Sequence, residues 1–460
     1  MLGDFKNKKI LLAPHSPMSV ALQEYLLSFD CKIVGFIDKN KNDTNIYKID
    51  KLDEVDFDIV LILSPNHFKA IYKEYLKYLP KEIVYQVTIK DYKYSFKNDI
   101  TLNESSFSKP KNLQIENKFV FISKDFIGSN NKFFYIYCIQ QNIPAVILTN
   151  NQEQLKELKE HNLPYNLLDT KEAYIDIISS KFIVLDQGNY TDLPPLHQEQ
   201  KLIQLWHGVG LKKMSKLTNI TYDYFISTST WTNETNFKNI FLAKEFLNCG
   251  YPRNDIFNKE YKNRYSELFC DKSILNFVKN TTSKIALYMP THRATNVKLP
   301  LDFKRLNSQL RDINSTMIIK LHPLVLEYYS NIQQQDFSNI LFHNTQGDIY
   351  PILKYIDILV TDYSSIAYDF LFLNRPVIFF NYDYDEYIST RGNKNNNQFL
   401  FNYYDYTPGK KIQTQEHLVA EIKYLLQGND DHKDYRLKIK NLFFDDTNLN
   451  SCELMEKEIK

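Results

Sequence analysis

Three apolar runs between residues 284 and 360 each end in side chains able to hold an anion. Lys284 to Met289 runs into Pro290, Thr291, His292 and Arg293. Thr316 to Leu321 runs into His322 and Pro323, and Ile356 to Val360 runs into Asp362, Ser364 and Ser365. A helix follows the last of these corners, and the apolar run Val377 to Phe380 closes the unit, which is the pattern of a βαβ unit. A helix N-terminus offers unpaired N–H groups and partial positive charge, which suit a phosphate oxygen, and serine hydroxyls add donors. Ser and Asp are equally ordinary helix caps, so a single corner carries both readings. Ligands of an open parallel sheet bind at the carboxyl ends of its strands, and three such ends collecting His, Arg, Ser and Asp describe an anion pocket. A nucleotide diphosphate is the ligand class that fits.

Two further corners lie upstream. Leu202 to Leu205 leads into Trp206-His207-Gly208, placing His207 at a strand's carboxyl end with a small residue beside it. An imidazole there is either a packed histidine or a base facing the anion pocket. Cys249-Gly250-Tyr251-Pro252-Arg253-Asn254-Asp255 is a compact turn in which Arg253 can grip a phosphate in bidentate fashion. The same turn is open to the reading of a solvated loop.

These corners need elements to carry them. A chain of 460 residues predicts two or three domains. Up to about residue 90, alternating strands and helices (Lys9 to Ala13, Lys32 to Ile37, Ile59 to Leu63 and Ile83 to Val87 as strands) predict a small Rossmann-like lobe, residues 1–90. Its first turn, Pro14-His15-Ser16-Pro17-Met18, lacks the glycines of a dinucleotide site, so no NAD is assigned. Residues 91–118 are polar and read as a linker. Residues 119–275 form a second α/β domain, with strands at Val120 to Ile122, Ala145 to Leu148, Phe182 to Leu185 and Leu202 to Leu205. Residues 276–460 carry the array of anion-holding corners, and the Asn393 to Asn397 tract reads as a mobile loop.

Composition excludes several classes. The net charge of +1 gives no field favouring nucleic acid. Five scattered cysteines without C-x-x-C spacing argue against disulfides and zinc and fit a reducing cytoplasm. The N-terminal apolar run is too short for a signal peptide, and no apolar stretch approaches the ~20 residues that span a bilayer. A soluble or peripheral protein is expected. Of two acidic pairs considered for a metal, Asp56-Phe57-Asp58 reads as surface charge, and Asp383-Tyr384-Asp385 is open, with structure favoured.

Taken in order, Gln204-Leu205-Trp206-His207-Gly208, Gly250-Tyr251-Pro252-Arg253-Asn254-Asp255, Tyr288-Met289-Pro290-Thr291-His292-Arg293, Lys320-Leu321-His322-Pro323 and Thr361-Asp362-Tyr363-Ser364-Ser365 are recognisable. Arg375-Pro376 and Asp383-Tyr384-Asp385-Glu386-Tyr387 follow. From about Phe119 onward the chain resembles the CDP-glycerol glycerophosphotransferase family of teichoic acid and capsule polymerases and primases. The resemblance implies a GT-B-type fold, two Rossmann-like domains facing across a cleft, here preceded by the extra lobe. It implies transfer of a polyol phosphate, glycerol phosphate first, from a CDP-activated donor to a teichoic-acid-like or capsular polymer or its primer, with release of CMP. No tightly bound cofactor is implied, and the phosphate-holding cations make a metal unnecessary.

Carried over by motif, His207 matches the family's base, and His322 and Arg253 join it as catalytic candidates. Asn254, Thr291, Arg293, Asp362, Ser364 and Ser365 match positions around the donor phosphates. Two departures stand out. Val209-Gly210 replaces the usual Thr-Pro after the His-Gly pair, and Asp445-Asp446-Thr447 stands where an Asp-Gly pair is expected. Val34-Gly35-Phe36-Ile37-Asp38, outside the match, weakly resembles the N-terminal lobes of some sugar-modifying acyltransferases. The competing readings are a GT-B-type nucleotide-sugar glycosyltransferase or epimerase, and an inactive scaffold. The family's acceptors are generally lipid-linked saccharides or polymers, which implies a cytoplasmic enzyme meeting the inner membrane face peripherally. Tyr435 to Phe444 combines lysines with apolar residues and reads as an interfacial segment or, in preference, a packed helix.

Overall fold

In the computed structural model the chain is described except at residues 1–4, 42, 65–67, 91–92, 99–112, 124, 188–192, 215–219, 292–298, 322–331, 333–335, 344–345 and 392–398. His292, Arg293, His322 and the Asn393 to Asn397 tract therefore lie outside the described residues. The chain divides into two compact units, Met1–Ser106 and Phe107–Lys460.

The first unit holds a six-stranded sheet: β1 (Lys9–Ala13), β2 (Lys32–Ile37), β3 (Ile46–Tyr47), β4 (Ile59–Ile62), β5 (Val84–Lys90) and β6 (Lys93–Lys97). Its order is β3-β2-β1-β4-β5-β6, parallel except for β6, which pairs antiparallel with β5. The polar stretch read as linker from residue 91 thus donates an edge strand. Phe96, the apolar member of Lys-Tyr-Ser-Phe-Lys, is buried against Phe5. Tyr94 packs on the same core, and two alternating aromatic residues with lysines at both ends are what an edge strand tolerates, a pattern that the polar composition around it conceals.

The second unit holds two wholly parallel sheets. One comprises β7 (Glu116–Ile122), β8 (Ala145–Leu148), β9 (Tyr165–Asn166), β10 (Ser180–Leu185), β11 (Lys201–Gln204), β12 (Thr221–Ile226) and β13 (Leu242–Leu247), in the order β13-β12-β11-β10-β7-β8-β9. The other comprises β14 (Lys284–Tyr288), β15 (Ser315–Ile319), β16 (Ile340–Phe342), β17 (Ile358–Thr361), β18 (Val377–Phe380) and β19 (Lys410–Ile412), in the order β16-β15-β14-β17-β18-β19. Their central strands are unbroken apolar runs because helices cover both faces. Each sheet reverses its winding once, between β7 and β10 in the first and between β14 and β17 in the second. Such reversal points open the crevices where ligands of this fold class bind.

The two sheets of this unit share a core. One continuous apolar cluster takes in Phe121 and Val184 of the first, Leu287 and Leu359 of the second, and Phe133 and Tyr350 between them. The chain's last helices cross back over that core. Helix Ser451–Ile459 is held by Asp255, whose carboxylate accepts the N–H groups of Ser451 (2.8 Å) and Cys452 (2.9 Å). Asp445 accepts from Thr230 N–H and Asn248 Nδ2, 2.8 Å each. The segment expected to belong wholly to the 276–460 domain therefore ends packed on the preceding one. Helix Lys433–Phe443 buries Ile439 and Phe443, and Phe443 stacks on Tyr368 with ring centroids 4.4 Å apart. Its apolar side is spent inside the protein. No helix among the described residues is long and apolar enough to cross a membrane.

Candidate active site

His207 stands three residues past the end of β11. Trp206 N–H donates to the Gln204 side chain (2.9 Å), and Leu205 N–H donates to Leu185 O (2.7 Å), so the strand's exit is tied down on both sides. Trp206 then takes a left-handed backbone (φ +52°), and its ring lies 3.8 Å, centroid to centroid, from the His207 ring. Nδ1 of His207 lies 3.1 Å from the backbone carbonyl of Asp186, at the end of β10. A carbonyl only accepts, so Nδ1 carries the proton and Nε2 is left as the basic nitrogen. Protein massed around the imidazole disfavours its charged form and Arg253 adds repulsion, while the Asp186 carbonyl works the other way; the pKa is lowered from its ordinary value. The residue is exposed, so solvent screens part of that effect without reversing it.

Gly208 brings the second sheet's residues alongside. Its φ of +153° is one that L side chains rarely adopt, and a Cβ there would stand 3.1 Å from Ser365 Oγ and 3.4 Å from Arg253 Nη2. Ser365 begins helix Ile366–Phe370 after β17, and its side chain makes no capping hydrogen bond. Ser364 Oγ accepts only a long contact from Ile366 N–H, at 3.5 Å. The capping reading is therefore not realised at Ser365, whose hydroxyl faces the His207-Gly208 turn.

Arg253 and Asn254 lie deeper than a solvated turn allows, at 4% and 1% exposure. Arg253 donates from Nη2 to Asp369 (2.6 Å) and from Nη1 to Gly128 O (3.1 Å). Asn254 Nδ2 (3.0 Å) and the Tyr350 hydroxyl (2.6 Å) donate to the same carboxylate. Two of the three guanidinium nitrogens are thus engaged, one with Asp369 and one with Gly128 O, and Nε makes no hydrogen bond. Asp369 went unnoticed in the sequence because it sits in an ordinary helical stretch; only the fold sets it opposite Arg253.

Asp362 and Thr291 meet at the reversal point of the second sheet. Thr291 N–H donates to Asp362 Oδ1 (2.8 Å), and Thr361 Oγ1 donates to Met289 O (2.7 Å). Buried Asp362 thus ties the ends of β14 and β17 together and shapes the crevice wall. His207, Gly208, Ser365, Arg253 and Asp369 are in this way gathered at one place, with Thr291, Asp362 and Ser364 on the adjoining strand ends. Asp383 accepts from Tyr363 Oη (3.1 Å). Among the described residues no group of three His, Cys, Asp or Glu side chains forms a metal site.

Two parallel Rossmann-like sheets in one unit, with an imidazole at the edge of one and a serine-bearing helix start at the edge of the other, make a GT-B-type fold. The chain belongs to the CDP-glycerol:poly(glycerophosphate) glycerophosphotransferase family, whose model matches residues 102–459. It is 30% identical over 292 residues to the teichoic acid glycerol-phosphate primase of Bacillus subtilis (strain 168), covering 58% of this chain and 70% of that one. It is 25% identical over 350 residues to the teichoic acid poly(ribitol-phosphate) polymerase of Bacillus spizizenii, covering 70% of this chain and 51% of the relative. The chain thus spans about half of that relative's length. Identity to the ribitol-phosphate polymerase TarK of Staphylococcus aureus is 24% over 461 residues, covering 90% of this chain and 80% of that one. Among solved structures, a variant of the wall teichoic acid polymerase TagF superposes with a TM-score of 0.60 at 21% identity, over 75% of this chain and 90% of that one, a likeness of fold.

Proposed function

We propose that the chain transfers a polyol phosphate, glycerol phosphate first, from a CDP-activated donor to a hydroxyl of a teichoic-acid-like or capsular polymer or its primer. The observation that carries this reading is the imidazole of His207, its tautomer set by the Asp186 carbonyl, beside a serine hydroxyl free of capping duty. His207 Nε2 removes the acceptor hydroxyl's proton as the oxygen attacks the β-phosphorus in line. The new P–O bond forms as the bond to the bridging oxygen breaks, and CMP departs with that oxygen and its electron pair. Ser364, Ser365 and the N–H groups of the helix start receive phosphate oxygens. Thr291 and Asp362 keep the crevice open at the sheet's reversal point. Arg253 supplies positive charge at the rear of the site while anchored, with Asn254, on Asp369. His322 and Arg293 are assigned to the donor's phosphates through their motifs. The reaction so written needs no metal or tightly bound cofactor.

The acceptor we favour is a lipid-linked or polymeric saccharide end, met by peripheral contact at the cytoplasmic membrane face. Flotation with anionic liposomes, with and without acceptor lipid, tests that contact, and absence of binding in both rejects it. The reaction itself is tested by incubating the purified protein with CDP-glycerol, CDP-ribitol and a UDP-sugar and following nucleotide release. CMP from a CDP-polyol supports the proposal, and product length distinguishes one transfer from many. Turnover of the UDP-sugar alone would make the protein a sugar transferase or epimerase instead.

A further inference from the structure

We infer that Asn130 is a positioning residue of this site, holding both the His207 turn and the Arg253 turn from one buried amide. The inference rests on the proposed role of His207. Asn130 opens helix Asn130–Gln140 and is fully buried. Its Nδ2 donates to the carbonyls of Leu205 (3.2 Å) and Trp206 (2.9 Å), the two residues before His207. Its Oδ1 accepts the backbone N–H of Arg253 at 3.4 Å. Two acceptors on one side and a donor on the other call for a group that donates twice and accepts once. A primary amide does this; a carboxylate, a hydroxyl or an apolar side chain of similar size does not.

The clamp acts where the backbone is least at ease. Trp206 is held at φ +52°, a conformation that only Gly and Asn visit routinely, and the bond from Asn130 to its carbonyl stabilises it there. Released from that bond, Trp206 relaxes toward ordinary backbone angles, and His207 swings off the Asp186 carbonyl. Arg253 loses its backbone tie in the same step. The groups facing the imidazole are the carbonyl of Asp186, with its buried carboxyl behind, and Arg253, backed by Asp369. Among the described residues, the Trp206 ring lies against the imidazole and Ser365 Oγ lies against the adjoining Gly208. Loosening the turn moves the ring away from Arg253 and from the protein massed around it, the larger influences, and this outweighs the loss of the Asp186 carbonyl, so its protonated form becomes easier to reach.

Asn131 provides the internal control. It is equally buried on the same helix, but its Nδ2 donates to Ile122 O (3.2 Å) and Val184 O (3.4 Å) within the sheet and does not reach the His207 turn. The test uses the full chain with ¹³C-labelled histidine, the His207 resonance being assigned by His207→Gln and titrated by NMR. Asn130→Ala should raise the His207 pKa toward its ordinary value, and Asn130→Ser, which keeps one donor, should fall between. Asn131→Ala should leave the titration unchanged. With CDP-glycerol as donor, Asn130→Ala should lower kcat by about 10²-fold, the cost of a misplacement near 1 Å, with KM for the donor altered by less than about threefold. A His207 titration unmoved in folded Asn130→Ala or Asn130→Ser overturns the inference, as does an equal shift in Asn131→Ala. If the wild type fails to turn over CDP-glycerol, the functional reading falls, while the titration still decides the role of Asn130.

Discussion

At the residue scale the proposed chemistry rests on one imidazole, set between two carboxyl groups used in opposite ways. Asp369 is matched by three donors, whereas Asp186 presents its carbonyl to His207 and buries its carboxyl against the Ser123 hydroxyl at 3.0 Å. His207→Ala should lower CMP release by about 10²–10⁴-fold, the usual share of a general base, with donor affinity nearly kept; near-normal turnover would end its assignment. Because the imidazole pKa is lowered, the neutral base persists into mild acid. A kcat profile should therefore fall only as pH drops through a midpoint below about 6.5, and a midpoint above that value would contradict the assignment. Burial pushes the Asp186 carboxyl up to about 7 from 3.8. Between those values the unfolded chain sheds the proton first, so stability is complete below pH 3.8 and declines as pH rises toward 7. Asp186→Asn removes that decline, at about 1.4 kcal/mol per unit of displacement. Melting temperatures at pH 5 and pH 8 should differ more in the wild type than in the variant.

At the element scale the site is made by strand ends rather than by any one motif. β11 delivers His207, β14 delivers Thr291, and β17 delivers Asp362 and the two serines. At the helix start after β17 the Ser365 side chain leaves the capping role unfilled, as the side chains of His432 and Asn450 do at theirs. Ser129, Thr170, Asp271 and Thr414 all accept a backbone N–H in the first turn of their helices, whereas Ser365 accepts none. Ser365→Ala should therefore leave the unfolding midpoint unchanged and weaken CDP binding by calorimetry. The expected loss is ~1.5–3 kcal/mol, that of a hydrogen bond to a charged group. Unchanged affinity with reduced stability would return the serine to a purely structural role.

At the scale of the whole molecule, the two sheets of the second unit are joined by ion pairs sunk in a shared core. Arg253 pairs with Asp369, and Lys132 pairs with Asp348, all four side chains being nearly or wholly excluded from water. Such pairs add little net stability, but losing one partner strands the other charge. Asp369→Ala should cost ~3–5 kcal/mol in denaturant unfolding, and replacing both partners with apolar residues should recover most of it. Comparable losses in the single and double variants would show that the pair itself is not what matters. Among the described residues, the two apolar clusters of the first unit draw only on residues 5–96, and those of the second unit only on residues from Phe119 onward. A chain beginning at Phe107 should therefore keep the melting transition of the second unit and its nucleotide release.

The parallel sheets, the order of the motifs and the polar corners at the strand ends were legible in the sequence because each is a local matter. Apolar runs of strand length, a helix after a polar corner and a glycine after His207 need only their neighbours to be recognised. β6 escaped because two aromatic residues in a five-residue run bounded by lysines make too short a pattern, and the return of the last helices escaped because packing partners are not periodic in sequence. The use made of each side chain was decided by the tertiary structure. Arg253 reads as a phosphate grip until Asp369, 116 positions away, is set beside it. Ser365 reads as a cap until its backbone takes helical angles that leave the hydroxyl idle. Asn130 carries no signal of its own, since a buried amide differs from an exposed one only by the carbonyls and N–H that the fold brings to it. Sequence specified which groups were available for the chemistry, and tertiary contact selected which of them remain free to act.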